Sequence, residues 1–398
     1  METLTTWVEV DRSAIESNVA NLRSLLQPAT QYMAVVKANA YGHGLLPIAE
    51  MVITAGADRL GVNTVDEGIT LRRAGIHVPI LVLGVVSREL LVEAATHQLA
   101  VVLPSISWLH ECLQAIKTLT SPLKIHLKIE TGLHRLGFMN RVEVLEAIEL
   151  IHETPQLQWE GTYSHLAAME ERHDLFSAQQ AAVLTVAVND FRRRRFDPGI
   201  VHLAASAGTL LEPNLHFGMV RCGIAMYGLW PSKAVKTTFG VTGDRRQVKE
   251  FLRPALSWKT HIVQIKTVTK GTVGYGRTYR VRKPTEVAVI PVGYAEGYDR
   301  HLSNKGEVLV DGRRCRVLGR VAMNMTMVDI SSIEAKSQNS KVKIGDEVVL
   351  IGKQGDEEIT ADELADKIGT INYEVVTRIP AHLPRIYEGV SSDMTDKV

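Results

Sequence analysis

Only three cysteines, Cys112, Cys222 and Cys315, are spread over the 398 residues. Their number is odd and their spacing wide, so neither a disulfide framework nor a zinc-ligand pattern is visible, as suits a reducing compartment. Charge of one sign is also missing, because 45 Lys and Arg stand against 44 Asp and Glu. That balance gives no overall basic surface for nucleic acid or anionic lipid. The run Arg192 to Arg195 is the local exception; it follows an apolar-periodic stretch and complements a helix C-terminus. The opening Met1-Glu2-Thr3-Leu4-Thr5-Thr6-Trp7 carries neither the basic stretch nor the apolar core of a signal peptide. Nowhere do eighteen apolar residues run together, so no helix is expected to span a membrane. The expectation is a soluble cytoplasmic protein with no metal, nucleic-acid or membrane partner.

What is present is ample core material: 45% of the residues are apolar. The length exceeds one ordinary domain and predicts two, one of them large enough for a barrel. Between about residues 30 and 230, eight short β-branched runs alternate with stretches of helical period. The runs lie at residues 34–37, 60–63, 80–83, 100–103, 124–129, 161–165, 201–204 and 219–224. Helical spacing appears at 45–55, 89–97, 142–152 and 178–191. Periodicity alone is equally served by an open doubly wound sheet; the count of eight favours a parallel (β/α)8 barrel of the TIM type, an α/β fold.

After Pro231 the texture changes. Residues 232–247 are polar and read as a linker or exposed loop, and beyond them come short alternating runs separated by turns such as Asp311-Gly312. A C-terminal, mainly-β domain is therefore expected, with one helix opened by a Thr360-x-x-Glu363 capping box. The expected boundaries are 11–240 for the barrel and 241–388 for the β domain. Residues 1–10 would add a strand to the β domain, and 389–398 would form a disordered tail. No internal repeat is seen.

The densest chemistry lies in Met33-Ala34-Val35-Val36-Lys37-Ala38-Asn39-Ala40-Tyr41-Gly42-His43-Gly44. A lysine closing a buried strand is costly without a role, and such an amine can form a Schiff base with a carbonyl cofactor. The turn that follows offers backbone N–H groups and a tyrosine hydroxyl to an anion such as phosphate. An aldehyde and a phosphate on one small molecule describe pyridoxal phosphate. In a barrel, the active site lies at the C-terminal strand ends. Lys37, Arg135, His165, His202, Ser206 and Arg221 all fall there. Each alone has a plainer reading, as a solvated strand end, a satisfied core histidine or a salt-bridged arginine; six at one rim do not.

The 33–44 string closely resembles the cofactor-lysine segment of the alanine racemases, and the resemblance extends over about residues 5 to 388. It implies a pyridoxal 5'-phosphate enzyme interconverting L- and D-alanine, supplying D-alanine for bacterial cell wall. It further implies a homodimer in which the partner's β domain completes each active site. By matching motif, Lys37 would carry the cofactor. Tyr41, Ser206, Gly223, Ile224 and Tyr373 would bind its phosphate, His165 would lie against its ring, and His202 would support Arg221. Arg221 would donate to the pyridine nitrogen without giving up a proton, because a guanidinium stays charged. That weakens the electron sink and suits an enzyme that only moves one α-proton.

For the second base the family pattern supplies Tyr275, in Gly274-Tyr275-Gly276, whose plainer reading is a strand-pairing aromatic. A free tyrosine has a pKa near ~10, so a cation must lower it, and Arg135 would be that cation. Tyr294 would narrow access, and the Met323 N–H would meet the substrate carboxylate. Many relatives carry a carbamylated lysine at the position of Lys128, giving the arginine a negative partner. The chain departs from the pattern at Asn324, where aspartate is frequent, and at Ala205, where asparagine is frequent. Two rivals stay open: a racemase of other amino acids on this scaffold, and a noncatalytic cofactor-binding protein, which would be a barrel alone.

Overall fold

The computed structural model describes residues 5–171, 175–242, 248–334 and 342–388. These form two compact units. One holds residues 13–40 and 45–254; the other holds the described residues up to 12, those of 41–44 and those from 255 onward.

In the first unit, eight parallel strands close into a barrel: Gln31–Val35, Arg59–Val62, Ile80–Val82, Leu99–Leu103, Leu123–Lys128, Leu157–Tyr163, Ile200–Ala205 and Met219–Cys222. Closure is made by the first and last, with Met33 opposite Arg221. Both faces of these strands are covered, which is why they read as unbroken apolar runs. Met33, Leu81, Ala100, Val102, Tyr163 and Met219 fill part of the interior. The register steps by one residue at Glu160, since Ile125 pairs with Trp159 but His126 pairs with Gly161. A bulge of this kind re-aims a side chain, here that of Glu160. Gly161 is required beside it, because a Cβ there would lie 2.6 Å from His126 Nδ1.

The expected linker at 232–247 is corrected in part. Lys233–Thr242 is a helix, and 243–247 lie outside the described residues. Two apolar residues four apart explain it: Val235 is buried, and the Phe239 ring meets those of Trp230 and Phe251 at 5.4 and 4.7 Å. The Ser232 hydroxyl accepts the Val235 N–H at 3.1 Å and starts the turn.

The second unit is mainly β. Its large sheet runs in the order Arg313–Arg316, Glu307–Val310, Glu347–Gln354, Leu256–His261, Thr6–Asp11, Arg385–Glu388. The N-terminal strand thus sits inside this sheet, antiparallel to Leu256–His261 and parallel to Arg385–Glu388. A three-stranded sheet joins Gln264–Val268, Thr285–Ile290 and Thr326–Asp329, and a short hairpin pairs Gly271–Val273 with Tyr279–Val281. The helix Ala361–Ile368 is capped by Thr360, whose hydroxyl accepts the Glu363 N–H at 3.0 Å. The reciprocal half of the expected box is not used: the Glu363 carboxylate is taken by Arg314 and Lys367. The tail, 389–398, lies outside the described residues. Among them, no helix is long and apolar enough to cross a membrane.

Candidate active site

Lys37 does not end the first barrel strand but lies two residues past it, at the start of a turn. Ala38, Asn39, Ala40 and Tyr41 all hold positive φ, between 51 and 55°. For L-residues this left-handed geometry costs roughly 1–2 kcal/mol apiece, and such strain is held at functional sites by its surroundings. The turn's backbone N–H groups are therefore not simply open to an anion, as its sequence suggests. That of Ala38 donates to Glu67 at 2.7 Å, and that of Ala40 to the Val36 carbonyl at 2.9 Å. The Asn39 side chain accepts the Leu45 N–H at 3.0 Å, opening the helix Leu45–Thr54.

The barrel's C-terminal end gathers cations. Arg221 is 3% exposed. Its Nη1 donates to His202 Nδ1 at 2.9 Å, and its Nη2 to His165 Nδ1 and to the carbonyls of Ser164 and Leu203 at 2.9–3.0 Å. Its Nε–H takes no partner among the described residues. Burial, then Arg135, pull this guanidinium down to about 10, so it stays charged at neutral pH. Burial followed by Arg135 and Arg221 brings the buried Lys128 amine down to about 8. The half-buried Lys37 is lowered by burial and by Arg135, with Glu67 opposing. Arg135 is exposed, on a loop whose backbone N–H groups at Gly132 and Arg135 donate to the Glu130 carboxylate.

Sequence reasoning missed what stands behind Arg221. His202 Nε2 lies 2.9 Å from His126 Nδ1, and His126 Nε2 lies 3.0 Å from Glu160. Arg221 can only donate and an ionised Glu160 can only accept, so both ends dictate the same polarity. His202 carries its proton on Nε2 and gives it toward His126, which in turn donates from Nε2 to Glu160. Burial first, then neighbouring cations such as Arg221 and Arg59, hold the His202 imidazole well below its usual value; burial lowers His126 too, against Glu160. Burial would raise the Glu160 carboxyl. The His126 hydrogen bond, with Arg59 and Lys124, outweighs that and holds it well below the carboxylate range. The Tyr163 ring stacks on His202, centroids 4.6 Å apart and 2° from parallel, and lies 5.2 Å from both Arg221 and Lys128. The available signal was His126 and Lys128, two apart on one inward strand face.

Of the expected phosphate ligands, the barrel unit joins three. Ser206 Oγ, buried, accepts N–H bonds from Gly223 at 3.0 Å and Ala225 at 3.4 Å, flanking Ile224. The other two share the second unit, where the Tyr41 and Tyr373 rings lie 6.3 Å apart. That unit also holds Tyr275, Tyr294 and Met323. Tyr275 sits between Gly274 and Gly276, both at positive φ, at the tip of the short hairpin, and is 72% exposed. It is a turn residue rather than a strand-pairing aromatic. Met323 is 55% and Tyr294 43% exposed. Their segments are tied together: Tyr294 N–H donates to Ala322 O, Ala295 N–H to Met323 O, and Asn324 Nδ2 to Glu296 at 2.7 Å.

Comparison with known proteins agrees over nearly the whole length. Residues 10–231 match the family model "Alanine racemase, N-terminal domain", and 255–387 match "Alanine racemase, C-terminal domain". The chain is 41% identical to an alanine racemase of Symbiobacterium thermophilum, over 96% of this chain and 97% of that one. A crystal structure of alanine racemase from Bacillus anthracis with bound L-Ala-P superposes with a TM-score of 0.88 at 37% identity, covering 97% and 96% of the two chains. One from Clostridium difficile in complex with cycloserine gives 0.85 at 31% identity, with the same coverage.

Proposed function

The chain belongs to the alanine racemase family and is an enzyme of that type, and we propose that it moves the α-proton of alanine with two bases, Lys37 and Tyr275, on pyridoxal 5'-phosphate. The donor set fits that cofactor. Lys37 supplies an amine whose proton is loosened by burial and by Arg135. Arg221 supplies a buried guanidinium whose Nε–H, without a partner among the described residues, would serve a ring nitrogen. Ser206, Tyr41 and Tyr373 would supply hydroxyls and Gly223 and Ile224 backbone N–H groups for a phosphate, the Gly223 N–H exchanging its present bond to Ser206 Oγ, and His165 lies beside Arg221 to face the ring. When bound, the cofactor withdraws electron density from the substrate's Cα and so acidifies its proton.

The residues of the chain do the rest. Lys37 Nζ accepts or returns the proton on one face of Cα, and Tyr275 Oη does so on the other. Arg135 and the Met323 N–H orient the substrate carboxylate, and Tyr294 narrows the approach. Arg221 donates a hydrogen bond without releasing a proton, since its guanidinium remains charged at neutral pH. This limits charge build-up at Cα and favours simple return of the proton over side reactions. The buried Arg221 and its fixed acceptors are the observation that carries the reading.

Lys128, at about 8, keeps about a tenth of its amine unprotonated at pH 7, far more than an ordinary lysine. Its amine can add to carbon dioxide, forming an N–C bond and releasing one proton to solvent. The resulting carbamate replaces a cation among cations with an anion for Arg135. The exposure of Tyr275, Met323 and Tyr294 supports a homodimer in which a second copy covers them. A cytoplasmic location and a role in supplying D-alanine for cell wall follow from the same reading. Borohydride treatment of the purified protein tests it: the cofactor's mass should become fixed on the peptide containing Lys37, and a label on another lysine overturns the assignment.

A further inference from the structure

We infer that Glu67 is a positioning residue for Lys37, its carboxylate holding the left-handed turn in which that lysine is set. Glu67 lies on the helix Val65–Arg73, which follows the second barrel strand, and its carboxylate is shared in two directions. One oxygen, Oε2, accepts the N–H groups of Asn63 at 2.7 Å and Thr64 at 3.3 Å, and the Thr64 hydroxyl returns the bond to the Glu67 N–H. That is a complete capping box, and a cap needs nothing more. The other oxygen leaves the cap and accepts the N–H of Ala38 at 2.7 Å.

Ala38 follows Lys37 directly and is the first of four consecutive residues at positive φ. None of the four is glycine, so the backbone has no intrinsic reason to remain left-handed. The turn must be held from outside, and its first N–H is held by a charged acceptor, the stronger kind. Glu67 is also the anion that opposes the cations around Lys37. Arg135 bears on the Lys37 amine, which in turn bears on Lys128 and His165. One carboxylate thus fixes the lysine's backbone and offsets part of the charge its amine faces. This rests on Lys37 being the cofactor-bearing lysine.

Three variants of the full-length enzyme separate a positioning role from a capping one. Thr64→Ala breaks the capping box and leaves the Ala38 bond, Glu67→Ala removes both, and Glu67→Gln keeps an acceptor for Ala38 without the charge. Residue-resolved hydrogen exchange should show the Ala38 amide exchanging at least about tenfold faster in Glu67→Ala. In Thr64→Ala it should match wild type. Racemisation by Glu67→Ala should lose about tenfold or more in kcat with KM nearly unchanged, and Thr64→Ala should keep both. If Glu67→Ala does not fold, Glu67→Gln carries the test: its neutral acceptor is weaker than a carboxylate, so the Ala38 amide should exchange several-fold faster than in wild type. Unchanged Ala38 exchange in Glu67→Ala, or in Glu67→Gln where only that variant folds, overturns the inference, as do equal losses of kcat in Glu67→Ala and Thr64→Ala. A borohydride label on another lysine would instead remove the functional premise and leave the Ala38 exchange result standing.

Discussion

The barrel rim and the candidate residues of the second unit are built on opposite principles. At the rim, Arg221 and His202 are buried and each is fixed by hydrogen bonds that run back to Glu160. In the second unit, Tyr275 stands 72% exposed between two positive-φ glycines, and Met323 and Tyr294 are also open to solvent. Buried polar networks are costly to leave unsatisfied, so they specify a single arrangement. Exposed side chains on a turn are inexpensive to present and gain their environment from whatever covers them. One region is pre-organised by its own core; the other presents its side chains to solvent, where the proposed second copy would cover them.

Substitutions should therefore separate chemistry from stability differently in the two regions. Lys37→Ala should reduce racemisation at least about 10⁴-fold, because on the proposed roles it would remove both the cofactor attachment and one base. Turnover in either direction would measure it. Tyr275→Phe should lower proton abstraction from L-alanine about 10²–10³-fold. Its unfolding free energy should stay within about 0.5 kcal/mol of wild type, because the side chain is exposed. Deuterium isotope effects in each direction check which face it serves; near-normal rates both ways contradict a two-base scheme.

Glu160→Ala should do the reverse of Tyr275→Phe. It strands His126, Arg59 and Lys124 without their common acceptor and should cost about 3 kcal/mol in denaturant unfolding. The same network predicts a two-stage acid response. His126 and His202 have folded values depressed below the unfolded one, so the unfolded chain binds protons first as pH drops. Stability should fall from about pH 6.5 downward, by about 1.4 kcal/mol per pH unit for each histidine. The Glu160 carboxyl is also depressed, so its contribution is present above about 4.3 and is lost as pH falls further. Unfolding free energies measured from about pH 8 down to about pH 2 test the order of the stages. The smallest effect is Asn324→Asp, which places a carboxylate against Glu296 and should weaken substrate binding only a few-fold, read as KM.

The same contrast governs what could be read without a structure. The eight barrel strands were legible because each is buried on both faces, and their observed bounds fall within a few residues of the apolar runs. Lys37, Arg221 and Tyr275 stood out through the resemblance of whole strings, not through periodicity. The left-handed turn gives no such signal, because Ala38, Asn39 and Ala40 look like ordinary helix or loop residues. Glu67 and Glu160 act on residues far along the chain, the second through a one-residue bulge that no pattern announces. The helix Lys233–Thr242 was hidden by its polar composition and rests on Val235 and Phe239.

Mixing the two impaired variants tests the division of labour most directly. Lys37→Ala and Tyr275→Phe, refolded together from denaturant with cofactor present, should form mixed dimers in about half the population by random pairing. If each site takes its lysine from one copy and its tyrosine from the other, one site of every mixed dimer regains both bases. Activity should then recover to roughly a quarter of wild type. No recovery, with dimers confirmed by sedimentation, would place both bases on one chain and contradict the account.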